Sequence, residues 1–262
     1  MVILTAPNCR STNPRPPDSI MESMESLSAK IAVVTGGTRG IGRAIAERLL
    51  REGCQVAVCG RTQASVDRAV KEMRSVGRVT GYPADVTQVD AVRKFFTAVD
   101  RDPGGLDILV NNAGEGVFRK VAEMTDEDWH RNIDLNLNGA FYCAREALAR
   151  FKKRGGGFIV NISSLAGKNA FSGGAGYNAS KFGLNGFTEA MMLDHRQENV
   201  RVTSIMPGSV NTEFSGGPSD RSGDASWMIA PEDVAEIVTA VLKMPARTMV
   251  SRVEIRPSKP KK

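Results

Sequence analysis

Three side chains in the stretch NISSLAGKNAFSGGAGYNASKFGL could perform acid–base chemistry together: Ser164, Tyr177 and Lys181. Tyr177 and Lys181 are four residues apart in a segment with a helical pattern, so their side chains lie on one face of that helix. Because an ammonium group beside a phenol favours the phenolate, we expect the pKa of Tyr177 to fall below its usual value of about 10. The tyrosine could then give or take a proton near neutral pH, and the serine hydroxyl could hold a carbonyl oxygen.

The elements that must position these side chains alternate between strands and helices from Lys30 onwards. The pattern predicts strands at 31–35, 55–59, 78–84, 106–114, 157–164, 200–206 and 249–255. It predicts helices at 41–52, 63–75, 90–100, 126–138, 141–153, 177–197 and 231–244. Strict alternation without hairpin signals indicates an α/β fold, with a doubly wound, seven-stranded parallel sheet flanked by helices on both faces.

A glycine-rich turn, TGGTRGIG, follows the first predicted strand and opens the first predicted helix. Gly36 permits a tight turn, whereas Gly40 and Gly42 permit close approach of a pyrophosphate and close packing of helix on strand. The start of the helix adds free N–H groups and the positive end of its dipole. The turn therefore predicts a dinucleotide site, with the spacing T-G-x-x-x-G-x-G.

With these motifs the sequence resembles the short-chain dehydrogenase/reductase family, in its compact single-domain branch, over Lys30 to about Pro257. The matching segments, in chain order, are TGGTRGIG, ADV at 84–86, NNAG at 111–114, IDLNLNG around Asn136, NISS ending at Ser164, YNASK at 177–181 and PGSVNT at 207–212. The family spacing from serine to tyrosine selects Ser164, which precedes Tyr177 by 13 residues, over the adjacent Ser163. Ser163 is then interpreted as a cofactor-side or structural hydroxyl. The resemblance implies a Rossmann-type fold.

The resemblance also implies which residues act. Asn136, Ser164, Tyr177 and Lys181 would be catalytic, with Asn136 holding a water that connects Lys181 to solvent. The residues expected to bind the cofactor are Gly36, Thr38, Arg39, Gly40, Ile41, Gly42, Arg61, Asp85, Val86, Asn112, Ala113, Gly114, Tyr177, Lys181, Pro207, Gly208, Val210 and Thr212. Asn111 would face the adenosine ribose, and Asp85 could equally be a turn or N-cap residue.

The cofactor is expected to be NADP(H). NAD-using relatives commonly carry an acid at the end of the second strand, where this chain has Gly60. Arg39 and Arg61 flank that position, and two guanidinium groups suit the 2′-phosphate of NADP. Both arginines could instead be ordinary solvated surface charges.

We therefore predict an NADP(H)-dependent oxidoreductase that transfers hydride between the nicotinamide and a ketone or secondary alcohol, with a 3-oxoacyl thioester as one candidate substrate. Two alternatives stay open. A catalytically silent NADP-binding regulator should lack part of the Ser164, Tyr177 and Lys181 set, whereas a sugar-nucleotide epimerase favours a different glycine spacing and a longer C-terminal region.

Composition predicts a soluble, cytoplasmic protein, with 41% hydrophobic and 24% charged residues. Four cysteines and two histidines form no ligand pattern, so no metal site is expected. The net charge of +6 is concentrated in the C-terminal residues, where five basic and one acidic residue lie between Ser251 and Lys262 without interleaved aromatic residues. A nucleic-acid partner is therefore not expected, nor is a membrane, because no apolar run has the length of a span.

The predicted organisation is a disordered N-terminal tail at 1–28, one catalytic domain at 29–257 and a basic C-terminal tail at 258–262. A loop at about 211–228, rich in Gly, Ser and Pro, is predicted to be a lid. Relatives pair through the helices predicted at 141–153 and 177–197, which implies a homodimer or homotetramer acting on a small-molecule substrate. The chain ends in SRVEIRPSKPKK, without the glycine-rich segment of many relatives.

Overall fold

A computed structural model describes residues 24–212, 214 and 225–260 of the 262-residue chain. Its centre is a parallel sheet with the strand order β3-β2-β1-β4-β5-β6-β7. The strands are β1 (Ile31–Thr35), β2 (Gln55–Gly60), β3 (Val79–Pro83), β4 (Ile108–Asn111), β5 (Gly157–Ile162), β6 (Val200–Pro207) and β7 (Arg252–Ile255). The predicted seven-stranded parallel sheet is therefore confirmed.

Seven α-helices cover the two faces of the sheet within the described part of the chain. They are α1 (Gly40–Arg51), α2 (Gln63–Met73), α3 (Val89–Arg101), α4 (Asp126–Ile133), α5 (Gly139–Arg154), α6 (Ala175–His195) and α7 (Pro231–Leu242). One apolar core lies between the sheet and α1, α2 and α7, and the other lies between the sheet and α3, α5 and α6.

Alternation along β1 shows how the strands serve both cores. Ala32 and Val34 point into the first core and Val33 points into the second, because successive strand residues face opposite sides. All five residues of β1 are buried, as expected for a central strand covered on both faces. From β1 the strands follow one another outward to β3 on one side, and from β4 outward to β7 on the other, so the strand order changes direction between β1 and β4. At such a point, open parallel sheets form a crevice at the carboxyl ends of their strands.

The segment predicted as two separate helices is one continuous helical stretch. A wide π-helical turn, Asp134–Asn138, joins α4 directly to α5. The extra residue in this turn buries Asn136, which is 1% exposed, and such turns are frequent at functional sites. The predicted last strand is also shorter than expected and begins at Arg252 rather than Met249.

The described chain is ordered before the predicted domain boundary at residue 29. The Glu25 amide donates to the Lys243 carbonyl, and the Leu27 side chain is 4% exposed in the first core. Residues 25–28 therefore belong to the domain, since burying Leu27 offsets the entropy of ordering them. The rest of the predicted tail, 1–23, lies outside the described residues, as do 213 and 215–224 of the predicted lid.

Two further expectations concern metals and membranes. Among the described residues, no cluster of three or more His, Cys, Asp or Glu side chains could hold a metal ion. Cys54, Cys59 and Cys143 are buried free thiols, and burial raises the pKa of Cys59 to about 12. In the same ranges no helix is long and apolar enough to span a membrane.

Candidate active site

Tyr177 and Lys181 lie one turn apart in the first half of α6, and both side chains are almost fully enclosed. Tyr177 is 8% and Lys181 is 4% exposed. The Lys181 ammonium lies 5.8 Å from the centroid of the Tyr177 ring and donates to the Ile162 carbonyl at 3.0 Å. The helix therefore places both side chains beside the carboxyl end of β5.

Ser164 follows β5 and meets Tyr177 from the other side. The Ser164 side chain lies near the Tyr177 phenol, where it lowers the pKa of that hydroxyl, and the Ser164 oxygen accepts from the Ala166 amide at 3.1 Å. The structure thus brings Ser164, Tyr177 and Lys181 together. The neighbouring Ser163 hydroxyl is buried and has no hydrogen-bond partner, which agrees with the two serines facing different ways.

Burial is the main cause of the pKa shifts of both Tyr177 and Lys181. Burial raises the pKa of the Tyr177 phenol, and the hydrogen bond from Ser164 lowers it by a smaller amount. Burial also lowers the pKa of the Lys181 ammonium to about 8. The prediction that Lys181 lowers the pKa of Tyr177 is wrong for this structure, because loss of hydration dominates the shift and Lys181 is not among its causes.

A row of polar side chains on α6 holds the segment that carries Ser164. The Asn178 amide donates to the Ala166 carbonyl at 2.6 Å, and the Asn185 amide donates to the Gly167 carbonyl at 2.9 Å. Lys181 lies between them on the same helix face and bonds the last residue of β5. Ser164 is therefore positioned by three hydrogen bonds from the helix that carries the tyrosine.

Asn136 is close to Lys181, but its side chain is committed to the protein. Its amide group donates to the Glu115 carbonyl at 2.8 Å and to the Ser180 hydroxyl at 3.0 Å, and its oxygen accepts from the Glu115 amide. A β-carbon built on Gly114 would lie 2.8 Å from the Asn136 oxygen and 3.6 Å from the Lys181 nitrogen. Gly114 therefore leaves space between Asn136 and Lys181. Both hydrogens of the Asn136 amide are used within the protein, which leaves its side-chain oxygen and its backbone as the groups that could hold a water.

The glycine-rich turn is tied to the loop after β4. Gly36 and Gly40 have φ angles of +61° and +55°, in the left-handed region that favours glycine. The Thr35 hydroxyl accepts from the amides of Asn112 and Ala113, and the Asn112 side chain donates to the Thr35 and Gly36 carbonyls. Asn112, predicted to bind the cofactor, thus uses its amide group to shape the turn.

Gly42 makes this arrangement possible. A β-carbon there would lie 2.3 Å from the Asn112 side-chain nitrogen, a distance that real contacts do not reach. Ile41, the second residue of α1, is partly buried against the first core. On the opposite side of the turn, the Thr212 methyl carbon would lie 3.5 Å from a β-carbon on Gly40. The segment after β6 therefore reaches the phosphate end of the predicted site.

That segment is anchored by backbone bonds. Pro207 ends β6, and the Gly208 amide donates to the Ile255 carbonyl. Val210 pairs with Ile229 and packs against the first core. The predicted residues from Pro207 to Thr212 are thus held at the carboxyl edge of the sheet, next to the glycine-rich turn.

The end of β2 lies beside a cleft of about 490 Å³. The residues that line it are Arg61, Asp85, Thr87, Gln88, Glu115, Glu127, His130, Arg131, Asp134 and Leu135. Asp85 accepts from the amide and hydroxyl of Thr87, so it is a turn residue as well as a lining residue. Val86 has a buried side chain. The contribution of α4 to this cleft was not predicted, because only the tertiary packing brings that helix to Arg61.

Gly60 has no room for a side chain. A β-carbon there would lie 2.7 Å from the Thr38 methyl carbon. Thr38 therefore covers the position where NAD-using relatives carry an acid, which adds a steric reason to the missing charge. Asn111, expected at the ribose, donates to Asn161 at 2.9 Å and leaves its side-chain oxygen buried without a partner.

Sequence reasoning missed the aromatic side chains around Tyr177. Phe118 and Phe214 have ring centroids 5.5 Å and 5.9 Å from the Tyr177 ring, at interplanar angles of 88° and 64°. Both are edge-to-face arrangements, which are favourable for aromatic pairs. A signal was present, since Phe118 closely follows NNAG, but nothing in one sequence indicates which ring faces the tyrosine.

Comparison with known proteins agrees with this geometry. The short chain dehydrogenase family model matches residues 30–221. The chain belongs to this family. The strands β1 to β6, the glycine-rich turn and the Ser–Tyr–Lys group lie within the matched region, so the resemblance predicted from the sequence motifs is confirmed.

Three relatives illustrate the match. An uncharacterized oxidoreductase of Staphylococcus aureus (strain MW2) is 33% identical over 236 residues, which cover 89% of this chain and 100% of the relative. A 3beta-hydroxysteroid dehydrogenase of Mediterraneibacter gnavus is 39% identical over 196 residues, which cover 73% and 70% of the two chains. The crystal structure of a metagenomic short-chain oxidoreductase in complex with NADP is 34% identical, with a TM-score of 0.78 over 90% of this chain and 100% of that one.

The buried Lys181 predicts a distinctive dependence of stability on pH. Its pKa falls from 10.5 to about 8 on folding, so between these values the unfolded chain binds more protons and stability rises with pH. The difference corresponds to about 3 kcal/mol. We expect the free energy of unfolding of the parent to rise by this amount relative to Lys181→Met between pH 8 and 10.5, measured by urea titration without added cofactor.

The control for this experiment is Lys71→Met, which removes an exposed lysine of α2. Its curve should run parallel to that of the parent across the same range. Parallel curves for Lys181→Met as well would show that the Lys181 ammonium is not desolvated in the folded protein.

Proposed function

We propose that this protein is an NADP(H)-dependent oxidoreductase that interconverts a ketone and a secondary alcohol. The observation that carries the proposal is the buried Tyr177 hydroxyl, which has Ser164 beside it and Lys181 one helical turn away. This group lies at the carboxyl edge of the sheet, the same edge as the glycine-rich turn, where open parallel sheets bind their ligands.

The residues at this edge fit a dinucleotide. The glycine-rich turn keeps backbone free of side chains at the start of α1, and a helix start attracts phosphate. Arg39 and Arg61, both exposed, flank Gly60, which supports NADP(H) over NAD(H). The NADP bound to the metagenomic relative supports the same choice. Gly36, Thr38, Gly40, Ile41, Gly42, Asp85, Val86, Asn112, Ala113, Gly114, Pro207, Gly208, Val210 and Thr212 stay predicted contacts.

The chain's own residues would act as follows. NADPH, when bound, supplies the hydride. Ser164 donates a hydrogen bond to the substrate oxygen as negative charge grows on it, and Tyr177 gives that oxygen its proton. Lys181 stabilises the phenolate that is left, and its second predicted role is to bind the nicotinamide ribose.

Burial raises the pKa of the Tyr177 phenol, so its hydroxyl carries a proton at neutral pH, as the proton donor in ketone reduction must.

The alternatives predicted from the sequence receive less support. A catalytically silent regulator has no need of a buried lysine beside a buried tyrosine, which costs free energy of folding. The epimerase alternative was based on Y-x-x-x-K alone, whereas the family match spans residues 30–221. A 3-oxoacyl thioester stays a predicted substrate, and a cytoplasmic location stays a prediction.

Replacing Tyr177 by Phe tests the proposed proton donor. The change removes one hydroxyl from a buried ring, so kcat for ketone reduction should fall by about a thousandfold while the dissociation constant for NADPH stays within a fewfold of the parent. The control is Tyr142→Phe on α5, which should retain parental turnover. Turnover of Tyr177→Phe close to that of the parent would rule out this role.

Cofactor preference tests the roles of Arg39 and Arg61. Charge-assisted contacts are worth roughly 1.5–3 kcal/mol each, so NADPH should bind at least about a hundredfold more tightly than NADH at fixed salt. Arg61→Ala should weaken NADPH binding about tenfold or more and leave NADH unchanged, whereas Arg74→Ala at the exposed end of α2 should alter neither. Equal affinities for the two cofactors in the parent would show that both arginines are ordinary surface charges.

Reversal of the preference requires a third change. Gly60→Asp with Arg61→Ala introduces the acid, but a β-carbon at position 60 would collide with Thr38. We expect tight NADH binding only when Thr38→Ala accompanies both substitutions, as measured by the two dissociation constants. Reversal without Thr38→Ala would contradict the steric argument.

We also propose a homodimer or homotetramer that pairs through α5 and α6. Phe141 on α5 and Phe182 and Leu193 on α6 are 41%, 45% and 52% exposed, and such side chains are suited to an interface. Light scattering at micromolar concentration should give a multiple of the chain mass, and Phe141→Glu should lower it. Val121→Glu, at a 76% exposed position after β4, should leave the mass unchanged. A monomeric parent would contradict the proposal.

A further inference from the structure

Tyr177 lies at the inner end of a row of three aromatic rings that leads to the protein surface. The ring centroids of Tyr177 and Phe118 are 5.5 Å apart, and those of Phe118 and Phe171 are 5.6 Å apart. Tyr177 is buried, Phe118 is half-buried and Phe171 is 46% exposed. These three residues are called the aromatic row below. The row gives the proton donor a continuous apolar wall that reaches solvent.

The aromatic row is held in place by the backbone. Phe118 lies in the loop after β4 and Phe171 in the loop after β5, and a parallel bridge between Arg119 and Gly174 joins the two loops. The Phe171 backbone amide also donates a hydrogen bond to the Asn178 side-chain oxygen, at 3.4 Å. Because the bridge pairs the residue after Phe118 with the segment after Phe171, the two rings have a fixed relation before any substrate arrives.

The rings of Phe118 and Phe171 each occupy space that a glycine leaves open. A β-carbon on Gly116 would lie 2.6 Å from the Phe118 ring, and one on Gly174 would lie 2.6 Å from the Phe171 ring. Each ring therefore packs directly on glycine backbone. The rings of Phe118 and Phe171 meet edge to face, at an interplanar angle of 67°. In this arrangement neither ring covers both faces of the other.

Two of the cations near the aromatic row, Arg119 and Lys168, are already engaged. Arg119 donates to the Phe118 carbonyl at 2.9 Å and lies 3.9 Å from the Asp128 carboxylate. Lys168, in the loop that carries Phe171, pairs with Glu254 at 2.6 Å. These two cations are thus less available to a phosphorylated thioester carrier. A sugar would fit poorly for another reason, since its hydroxyls would lose water against rings that cannot replace those hydrogen bonds.

We propose that the substrate is a ketone or secondary alcohol whose reacting carbon belongs to, or directly adjoins, a flat apolar ring system. Its rings pack along the aromatic row while the oxygen meets Ser164 and Tyr177. This inference rests on the proposed function. A flat ring system matches the row because aromatic and alicyclic surfaces pack on ring faces and edges over their whole length, whereas a linear chain loses torsional freedom to do so.

The test compares initial rates with NADPH for 2-tetralone, the linear ketone 2-decanone of equal carbon number, an acetoacetyl thioester of N-acetylcysteamine, and fructose. In the parent, kcat/KM for 2-tetralone should exceed that for each of the others by about tenfold or more. A linear ketone, thioester or sugar that is reduced as well as 2-tetralone would overturn the ring-class inference and leave the proposed function standing.

Variants of the aromatic row test whether its residues cause the preference for 2-tetralone. Phe118→Leu and Phe171→Leu should each lower the ratio of kcat/KM for 2-tetralone to kcat/KM for 2-decanone about tenfold, with NADPH affinity changed less than about threefold. Phe118→Tyr, which retains the ring, should keep the preference. Phe171 is half exposed, so its substitution leaves the fold intact even where Phe118→Leu does not.

Three further outcomes would contradict either the ring-class inference or the proposed function. An unchanged preference in both leucine variants would overturn the role of the aromatic row. If NADPH binds but none of the four compounds is reduced, the ring-class inference is wrong. If NADPH does not bind at all, the proposed function itself is wrong, and the substrate inference is lost with it.

Discussion

The burial of one ammonium group, that of Lys181, constrains the rest of the site. A lysine this enclosed must be compensated, and here the Ile162 carbonyl accepts its hydrogen bond at the end of β5. That bond, with those of Asn178 and Asn185 to the following residues, fixes the distance between α6 and the loop after β5. Ser164 reaches the Tyr177 hydroxyl because α6 and this loop are held together in this way.

Close approach of backbone is the second condition of the site. Gly42 lets the Asn112 side chain bond the glycine-rich turn, and Gly114 leaves space between Asn136 and Lys181. At each position a side chain would collide with a neighbouring polar group. The same principle applies at Gly60, where the Thr38 methyl group occupies the space of an absent side chain. Glycine in this protein therefore determines which polar groups meet, as well as where the chain turns.

The site combines a polar reaction centre with apolar surroundings. The Phe118 and Phe214 rings pack edge to face on the Tyr177 ring, and burial of the phenol raises its pKa. The buried lysine responds in the opposite direction, toward loss of its proton, because burial disfavours the charged form of both groups. The two shifts have one cause.

The sequence by itself determined the fold and predicted which residues react. Apolar runs at the central strands alternate with helical patterns and predict the sheet, because strands covered on both faces must be apolar throughout. The motif TGGTRGIG predicts the phosphate end of the dinucleotide site, and the motif YNASK predicts the acid–base pair. Only the tertiary structure decided the pKa directions, since these depend on how completely other elements cover Tyr177 and Lys181. It also decided that the Asn136 side chain bonds Glu115 and that the Phe118 ring packs on the rings of Tyr177 and Phe171, because those contacts join segments far apart in the chain.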